Sequence, residues 1–518
     1  MKLYRGFATV GSITILSRVL GFVRDVLIAA VLGTSSVADA FFVAFRVPNM
    51  FRRLFAEGAF DAAFIPLFAK RLHAEGPPAA QAFAGQALAG LTLVLVVFTV
   101  LAEIAMPWLM LLLAPGFASD AAKFDLGVML ARIALPYLVF MSLVALHSGV
   151  LNALGRFAIA ALAPTLLNVV LIIVLLALVA FRSGQTTAGI VLAWAITASG
   201  VLQVIVVALA AARIGMRVPI ERPHLTPDMR RLMTLSAPGV IAGGMAQLTM
   251  VISTIIATLQ DRVVSWLYYA DRIFQLPLGV IGVAIGVVLL PDLSHKLRSG
   301  DHDAVLASEN RALEFALLLT MPAAIALFIA SGPIMCVLFE RGAFTAADTQ
   351  ATAAMLSALA LGLPAYVMIK VLHPSYFARE DTKTPMIYAV IGMAANVMLA
   401  LLLFVVLGAV GIAIATAIAG WLQAALLAGT LKERGQFALD QTFRRRLPAI
   451  IAASLIMGAV VWALVDWLGP SFEPKNGAVV QVAALVLLVG GGLAVYAGTA
   501  AALGAFDAKS LLARFGLH

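Results

Sequence analysis

The sequence predicts an all-α integral membrane protein of about fourteen transmembrane helices: two six-helix repeats followed by a C-terminal pair. Composition carries part of that expectation. Of 518 residues, 63% are hydrophobic and 12% charged, and the mean hydropathy is +1.03, far from the balance of a water-soluble chain. Patterning carries the rest. The apolar residues gather in runs long enough to cross a bilayer, for which about 20 residues suffice in a helix. A set of landmarks recurs at an offset near 220 residues, which gives the repeat.

Spanning segments are expected near 7–32, 37–69, 83–113, 127–153, 159–181, 187–212, 232–259, 263–294, 308–338, 350–377, 385–407, 411–431, 447–468 and 478–504. They are too long for barrel strands and lack strict alternation, so helices are expected. Prolines inside them, at Pro48, Pro136, Pro277, Pro322 and Pro364, predict kinks. With the N-terminus inside, cytoplasmic loops hold 22 of the 35 Lys and Arg residues and the opposite loops hold 5. That bias sets both termini in the cytoplasm. It also accounts for the formal charge of +9, so no nucleic-acid partner is expected. The first run passes Arg18 and Arg24 without a short apolar core or an Ala-x-Ala site, so a cleavable signal peptide is not expected. Cys336 is the only cysteine and the seven histidines lack ligand spacing. No disulfide, metal site or cofactor is therefore expected.

The stretch from Ser17 to Asp61 departs from the apolar rule. It carries Arg18, Arg24, Asp25, Asp39, Arg46, Arg52, Arg53, Glu57 and Asp61. Five arginines at mid-bilayer cost on the order of 12–18 kcal/mol unless they meet water, a partner or a ligand. Arg18 and Asp25 are seven residues apart, as are Asp39, Arg46 and Arg53, so each set falls along one helical stripe. Arg53 and Glu57 have pairing distance in sequence. Buried structural ion pairs are one reading. The excess of arginine over carboxylate favours another, a membrane cavity that receives a phosphorylated ligand, because the planar guanidinium fork suits phosphate.

The repeat rests on several matches. Gly189 to Ile196 with Gly200 and Gln203 recurs as Gly411 to Ile418 with Gly420 and Gln423. Pro66 and Pro291, Arg156 and Arg379, Pro164 and Pro385, and Gly215 and Gly435 keep nearly the same offset. Six helices per copy give both copies one orientation, related by a pseudo-twofold along the membrane normal, with the ligand site expected between them. The expected organisation is an N-lobe at 1–220, a C-lobe at 221–440 and a C-terminal helix pair at 441–518 without a counterpart. In the second copy Asp271 and Arg272 lie inside a span. Neighbours on a helix point about 100° apart, so each is expected to meet a different partner. Arg272 is expected to complete the basic cavity. Lys370 is hypothesised to pair with Glu57 and close one mouth; a double charge swap that left accessibility unchanged would oppose that. Gly279, Gly282 and Gly286 read as close helix packing, and His147 and His373 as packed or interfacial side chains.

Five blocks carry a resemblance to a known family: SRVLGFVRD (Ser17–Asp25), ADAFFVAFRVPNMFRRLFAEGAF (Ala38–Phe60), RFAIAALAPTLLN (Arg156–Asn168), YYADRIFQLPLGVIGVAIGVVLLP (Tyr268–Pro291) and KVLHPSYFAREDTKTP (Lys370–Pro385). Together they resemble the MurJ family, also called MviN, of the multidrug/oligosaccharidyl-lipid/polysaccharide exporter superfamily. The resemblance implies a flippase of the bacterial inner membrane. Its partner would be lipid II, the undecaprenyl-diphosphate-linked peptidoglycan precursor, carried from the cytoplasmic to the outer leaflet by alternating access without covalent chemistry. It implies a cavity lined by Arg18, Arg24, Arg52, Arg53 and Arg272, with Asp25, Asp39 and Asp271 beside them, and a gate at Glu57. It also implies that the last two helices form a hydrophobic groove for the polyprenyl tail among membrane lipids. These residues do not spell out a sodium site. A membrane potential contributes about 2.3 kcal/mol per charge per 100 mV, so the potential is expected to help reset a cationic cavity, and coupling to ions is left open.

Other readings are a flippase for another polyprenyl-diphosphate oligosaccharide and a drug/cation antiporter of the same superfamily. The antiporter calls for exposed acids, against the arginine excess. A membrane glycosyltransferase calls for acid-bearing outer loops, and those loops are short here.

Overall fold

The computed structural model describes residues 2–55, 59–224, 226–299 and 301–505, with side chains described outside 2–10, 52–55, 59, 62, 237–250, 280–288 and 474. Every regular element among them is helical. The chain forms two compact units, Met1–Ser265 with Arg341–Phe344, and Trp266–Glu340 with Thr345–His518.

In the first unit the helices are α1 (Lys2–Leu32), α2 (Ser36–Phe55), α3 (Ala59–Ile104), α4 (Met106–Leu113), α5 (Ala121–Ala134), α6 (Tyr137–Ala153), α7 (Phe157–Ala180), α8 (Gln185–Arg213) and α9 (Pro227–Thr258). Local chemistry sets several boundaries. Asp120 caps α5 by accepting from the N–H groups of Ala122 and Lys123, and Thr226 caps α9 through Met229 N–H. α3 is broken at Gly76, whose φ of 82° is open to glycine and precedes Pro77 and Pro78. α1 packs along α7, α2 against α5, and α3 against both α6 and α9. Phe60, Phe64 and Phe68 stack at 5.2 and 5.6 Å between ring centroids, and Phe83 lies 5.7 Å from Phe64. This aromatic ladder roots the α3–α6 contact. The segment Arg341–Phe344 docks on α1 through Ala343 N–H, which donates to Ala30 O at 2.8 Å. A Cβ on Gly342 (φ 61°) would sit 2.2 Å from Ala30 O, and one on Gly33 (φ 59°) 2.3 Å from Ala343 O, so both positions require glycine.

The second unit contains most of α10 (Val263–Arg298), then α11 (His302–Ile329), α12 (Ser331–Phe339), α13 (Ala346–Ala360), α14 (Leu363–Phe377), α15 (Lys383–Leu407), α16 (Ala409–Glu433), α17 (Gln441–Trp467) and α18 (Gly477–Ala502). Its core joins Leu289 and Leu293 of α10 to Leu313 and Leu317 of α11, Val367 and Val371 of α14, and Leu427 and Leu431 of α16. Thr345 and Asp348 form a reciprocal capping box at the start of α13. Between α14 and α15, Asp381 Oδ2 accepts from Arg434 Nη1 at 2.7 Å and Asp381 Oδ1 from Thr384 N–H at 2.9 Å. The Arg434 guanidinium, with Thr384, holds the Asp381 carboxyl at about 2.

The repeat is visible in the packing inside each unit. α3–α6, α5–α8, α6–α8, α7–α8 and α3–α9 in the first match α11–α14, α13–α16, α14–α16, α15–α16 and α11–α17 in the second. Side-chain amides mark the last correspondence. Gln86 Oε1 accepts from the capping residue Thr226 of α9, and Asn310 Oδ1 accepts from the backbone N–H of the capping residue Asp440 of α17. α17 thus packs on α11 as α9 packs on α3. α17 and α18 pack together and on α11 and α12 through Met457, Val461, Leu488 and Val337, and Tyr496 Oη donates to Leu318 O at 2.6 Å.

The outward helix faces are apolar. Val405 and Val479 are both 84% exposed, an arrangement suited to hydrocarbon and costly in water. Nine described helical stretches are long and apolar enough to cross a membrane, and α13 with α14, bent by 41°, makes a tenth. α1, α2, α9 and α10 are not among them. Parts of α2, α9 and α10 lie outside the residues whose side chains are described, and the count of fourteen rests on the sequence.

Candidate functional site

The polar interior of the first unit is built in two places. In α1, Arg24 is 5% exposed and Asp25 1%. Arg24 Nε and Nη2 donate to Asp25 Oδ1 at 3.1 and 2.7 Å, and Nη1 donates to Asn168 Oδ1 on α7 at 2.8 Å. The Asn168 amide then donates to Ser17 O at 3.0 Å. Such a fork, with its charge inside an apolar bundle, tolerates burial only because these partners replace water. Arg18, expected to share the stripe of Asp25, is exposed.

The second place surrounds Asp39 of α2, which is fully buried. Its Oδ2 accepts from Lys123 Nζ at 2.8 Å and from Arg262 N–H at 2.8 Å. Its Oδ1 accepts from Ser265 N–H at 3.0 Å and Ser265 Oγ at 2.6 Å. Lys123 also donates to Asp261 at 2.8 Å and lies 4.6 Å from the Phe117 ring centroid. One lysine thereby joins α2, α5 and the turn between α9 and α10. Further along α2, Arg46 donates to Thr254 Oγ1 of α9.

In the second unit, Arg272 Nη2 donates to Tyr268 Oη at 3.2 Å and Arg272 Cζ lies 5.3 Å from that ring centroid, while Asp271 accepts from Gln275. The adjacent pair thus has different partners, as the helical phase requires. Lys370 is exposed. The side chains of Arg52 and Arg53, and Glu57 altogether, lie outside the described residues, and with them the hypothesised Glu57–Lys370 pair. Among the described residues no group of His, Cys, Asp or Glu could hold a metal ion.

Sequence reasoning missed Lys123, Asp261, Ser265 and Asn168. Lys123 stood among the loop charges, and Asn168 is a neutral amide in an apolar run. Only the excess of buried charge over local partners pointed to such residues.

Lipid-length helices with apolar exteriors and charged side chains held in their interiors define a multi-span membrane protein. The fold agrees: a multidrug resistance MATE family transporter of the MOP superfamily, in an inward-facing conformation, superposes with a TM-score of 0.65 at 14% identity, covering 83% of this chain and 98% of that one. A family profile described as lipid II flippase MurJ matches residues 28–481, and the chain belongs to that family. A probable lipid II flippase MurJ of Rhizobium meliloti (strain 1021) is 46% identical over 509 residues, covering 97% of this chain and 94% of the relative. Lipid II flippase MurJ of Burkholderia cenocepacia is 35% identical over 498 residues, covering 94% and 95%. A solved structure of lipid II flippase MurJ in an inward closed conformation aligns with a TM-score of 0.77 at 26% identity, covering 96% and 98%.

Proposed function

We propose that this chain carries lipid II, the undecaprenyl-diphosphate-linked peptidoglycan precursor, from the inner to the outer leaflet of the inner membrane by alternating access. The observation that carries the reading is the buried Arg24 fork, held by Asp25 and Asn168 inside a lipid-length helix. Guanidinium is the side-chain group best matched to a diphosphate, and the family membership supports that choice of ligand. Transport of this kind requires no bond to be made or broken. The substrate-binding set is Arg18, Arg24, Asp25, Arg52, Arg53, Asp271 and Arg272, with Glu57 and Lys370 gating. Asp39, proposed for the same set, has contacts with Lys123 and Ser265 that favour holding the bundle over touching the anion.

Both termini are cytoplasmic in this reading, and the membrane potential helps return the emptied cationic site inward. Complementation of a strain depleted of its lipid II flippase tests the whole. Wild type is expected to restore growth, and Arg24→Ala and Arg272→Ala at matched expression are not. Failure of well-expressed wild type would redirect the reading to another polyprenyl-diphosphate sugar. Flipping in proteoliposomes that ignores an imposed potential and ion gradients would remove the coupling.

A further inference from the structure

We propose that Asn168 is a positioning residue for Arg24, holding the guanidinium oriented towards a diphosphate without adding a second negative charge. The inference rests on the lipid-linked diphosphate reading above and deepens it.

Both ends of the Asn168 amide are specified. Its oxygen accepts from Arg24 Nη1 at 2.8 Å, and its nitrogen donates to the backbone carbonyl of Ser17 at 3.0 Å. A flipped amide would set N–H against guanidinium and oxygen against a carbonyl, so one orientation is fixed. α1 lies along α7, and Asn168 is 7% exposed, so the contact is shielded from water. Asp25 Oδ1 takes both Nε and Nη2 of Arg24, and this leaves the Nη1 side to be oriented from across the helix pair. Asn168 does so.

The residue type matters because of charge. Arg24 and Asp25 together are neutral, and an amide keeps them so. A carboxylate in the same place would accept from Arg24 as the amide does, yet add a negative charge beside it and repel an anion. A purely structural role, tying α1 to α7, and a role in presenting Arg24 therefore diverge where a second substitution removes the added charge without restoring the contact with Ser17.

The test measures binding of undecaprenyl diphosphate to the full-length protein in detergent, with undecaprenyl monophosphate and inorganic pyrophosphate as comparison probes, and melting temperature alongside. Asn168→Asp, which sets a carboxylate oxygen against the Ser17 carbonyl, is expected to lower the melting temperature and to weaken undecaprenyl diphosphate binding about tenfold or more. The exchanged pair Asp25→Asn/Asn168→Asp restores one carboxylate and one amide, and is expected to recover most of that affinity. The exchange still lacks the donor to Ser17 O, so affinity that recovers while the melting temperature stays lowered separates the charge from the tie between α1 and α7. Wild-type binding by Asn168→Asp overturns the proposal. If Asn168→Asp does not fold, the exchanged pair decides, and binding as weak as that of Arg24→Ala overturns it. Arg24→Ala binding as well as wild type would instead remove the diphosphate reading itself. Pyrophosphate competing as strongly as the lipid would move the recognised chemistry from the lipid-linked to the free anion and overturn the lipid-linked form of the proposal.

Discussion

Lys123 Nζ lies 2.8 Å from Asp39 Oδ2, with the lysine side chain 2% exposed and the aspartate 0%. The pair spans 84 residues of sequence and connects two helices of the first unit. Removing one member of a buried pair leaves the other charge uncompensated, at a cost of about 3–5 kcal/mol. Lys123→Met is therefore expected to lower stability by that order in a chemical unfolding series in detergent. The double variant Lys123→Met/Asp39→Asn is expected to regain more than half of it. An unchanged midpoint for the single variant would show that the pair contributes nothing.

Gly342 adopts φ 61°, and a Cβ there would fall 2.2 Å from Ala30 O. The obstacle is backbone, which cannot rotate away. Gly342→Ala is expected to destabilise by about 1–3 kcal/mol from overpacking, with a further ~1–2 kcal/mol for the left-handed conformation. The Gly155→Ala control shares a positive φ of 72° but has nothing within 4 Å, so it carries only the conformational part. Equal melting temperatures for the two variants would remove the steric contribution.

Asp381 titrates at about 2 when folded, against 3.8 for the free group. A depressed carboxyl contributes its stabilisation in full above the unfolded value and loses it as pH falls through the folded one. The contribution should therefore be constant from neutral pH down to about 4 and disappear between 3.8 and about 2. Because Arg434 is 41% exposed, the effect is small and weakened by salt. Asp381→Asn is expected to melt slightly below wild type at pH 7, with the gap closing below pH 3.8. A gap that widened on acidification would reverse the assignment.

Tyr268 gives Arg272 both a hydrogen bond and a ring face. Tyr268→Phe keeps the face, worth about 0.5–2 kcal/mol, and loses the hydroxyl. Flipping in proteoliposomes is expected to fall severalfold for Tyr268→Phe and further for Tyr268→Ala. Equal losses would show that the ring face does not help hold Arg272.

How much of this could be read beforehand follows from what each residue announces. Apolar runs declare themselves, and so does the landmark repeat, because hydrocarbon exposure and copy number act on whole segments. The stretch between the expected spans 37–69 and 83–113 carries no apolar signal, yet helix runs on both sides of Gly76 within it. Asp39 announced itself as a charge in the wrong solvent. Its partner did not, since Lys123 follows the ordinary capping residue Asp120 and resembles any loop lysine. Asn168 gave less still. An amide carries no charge to account for, and its use depends on the register between α1 and α7, which periodicity within either helix leaves undefined.

The match between α9 on α3 and α17 on α11 has a consequence for modularity. The seam of the repeat in sequence is not the seam in space: the first unit is completed by a helix that comes after its sixth, and the second unit is completed by the chain's own tail. A fragment ending at residue 220 leaves the flank of α3 bare, whereas one ending at Ser265 retains its cover. Truncation at Arg446 strips α11 in the same way. The final helices are in this sense the second half's own closing piece, with α17 covering α11 as α9 covers α3.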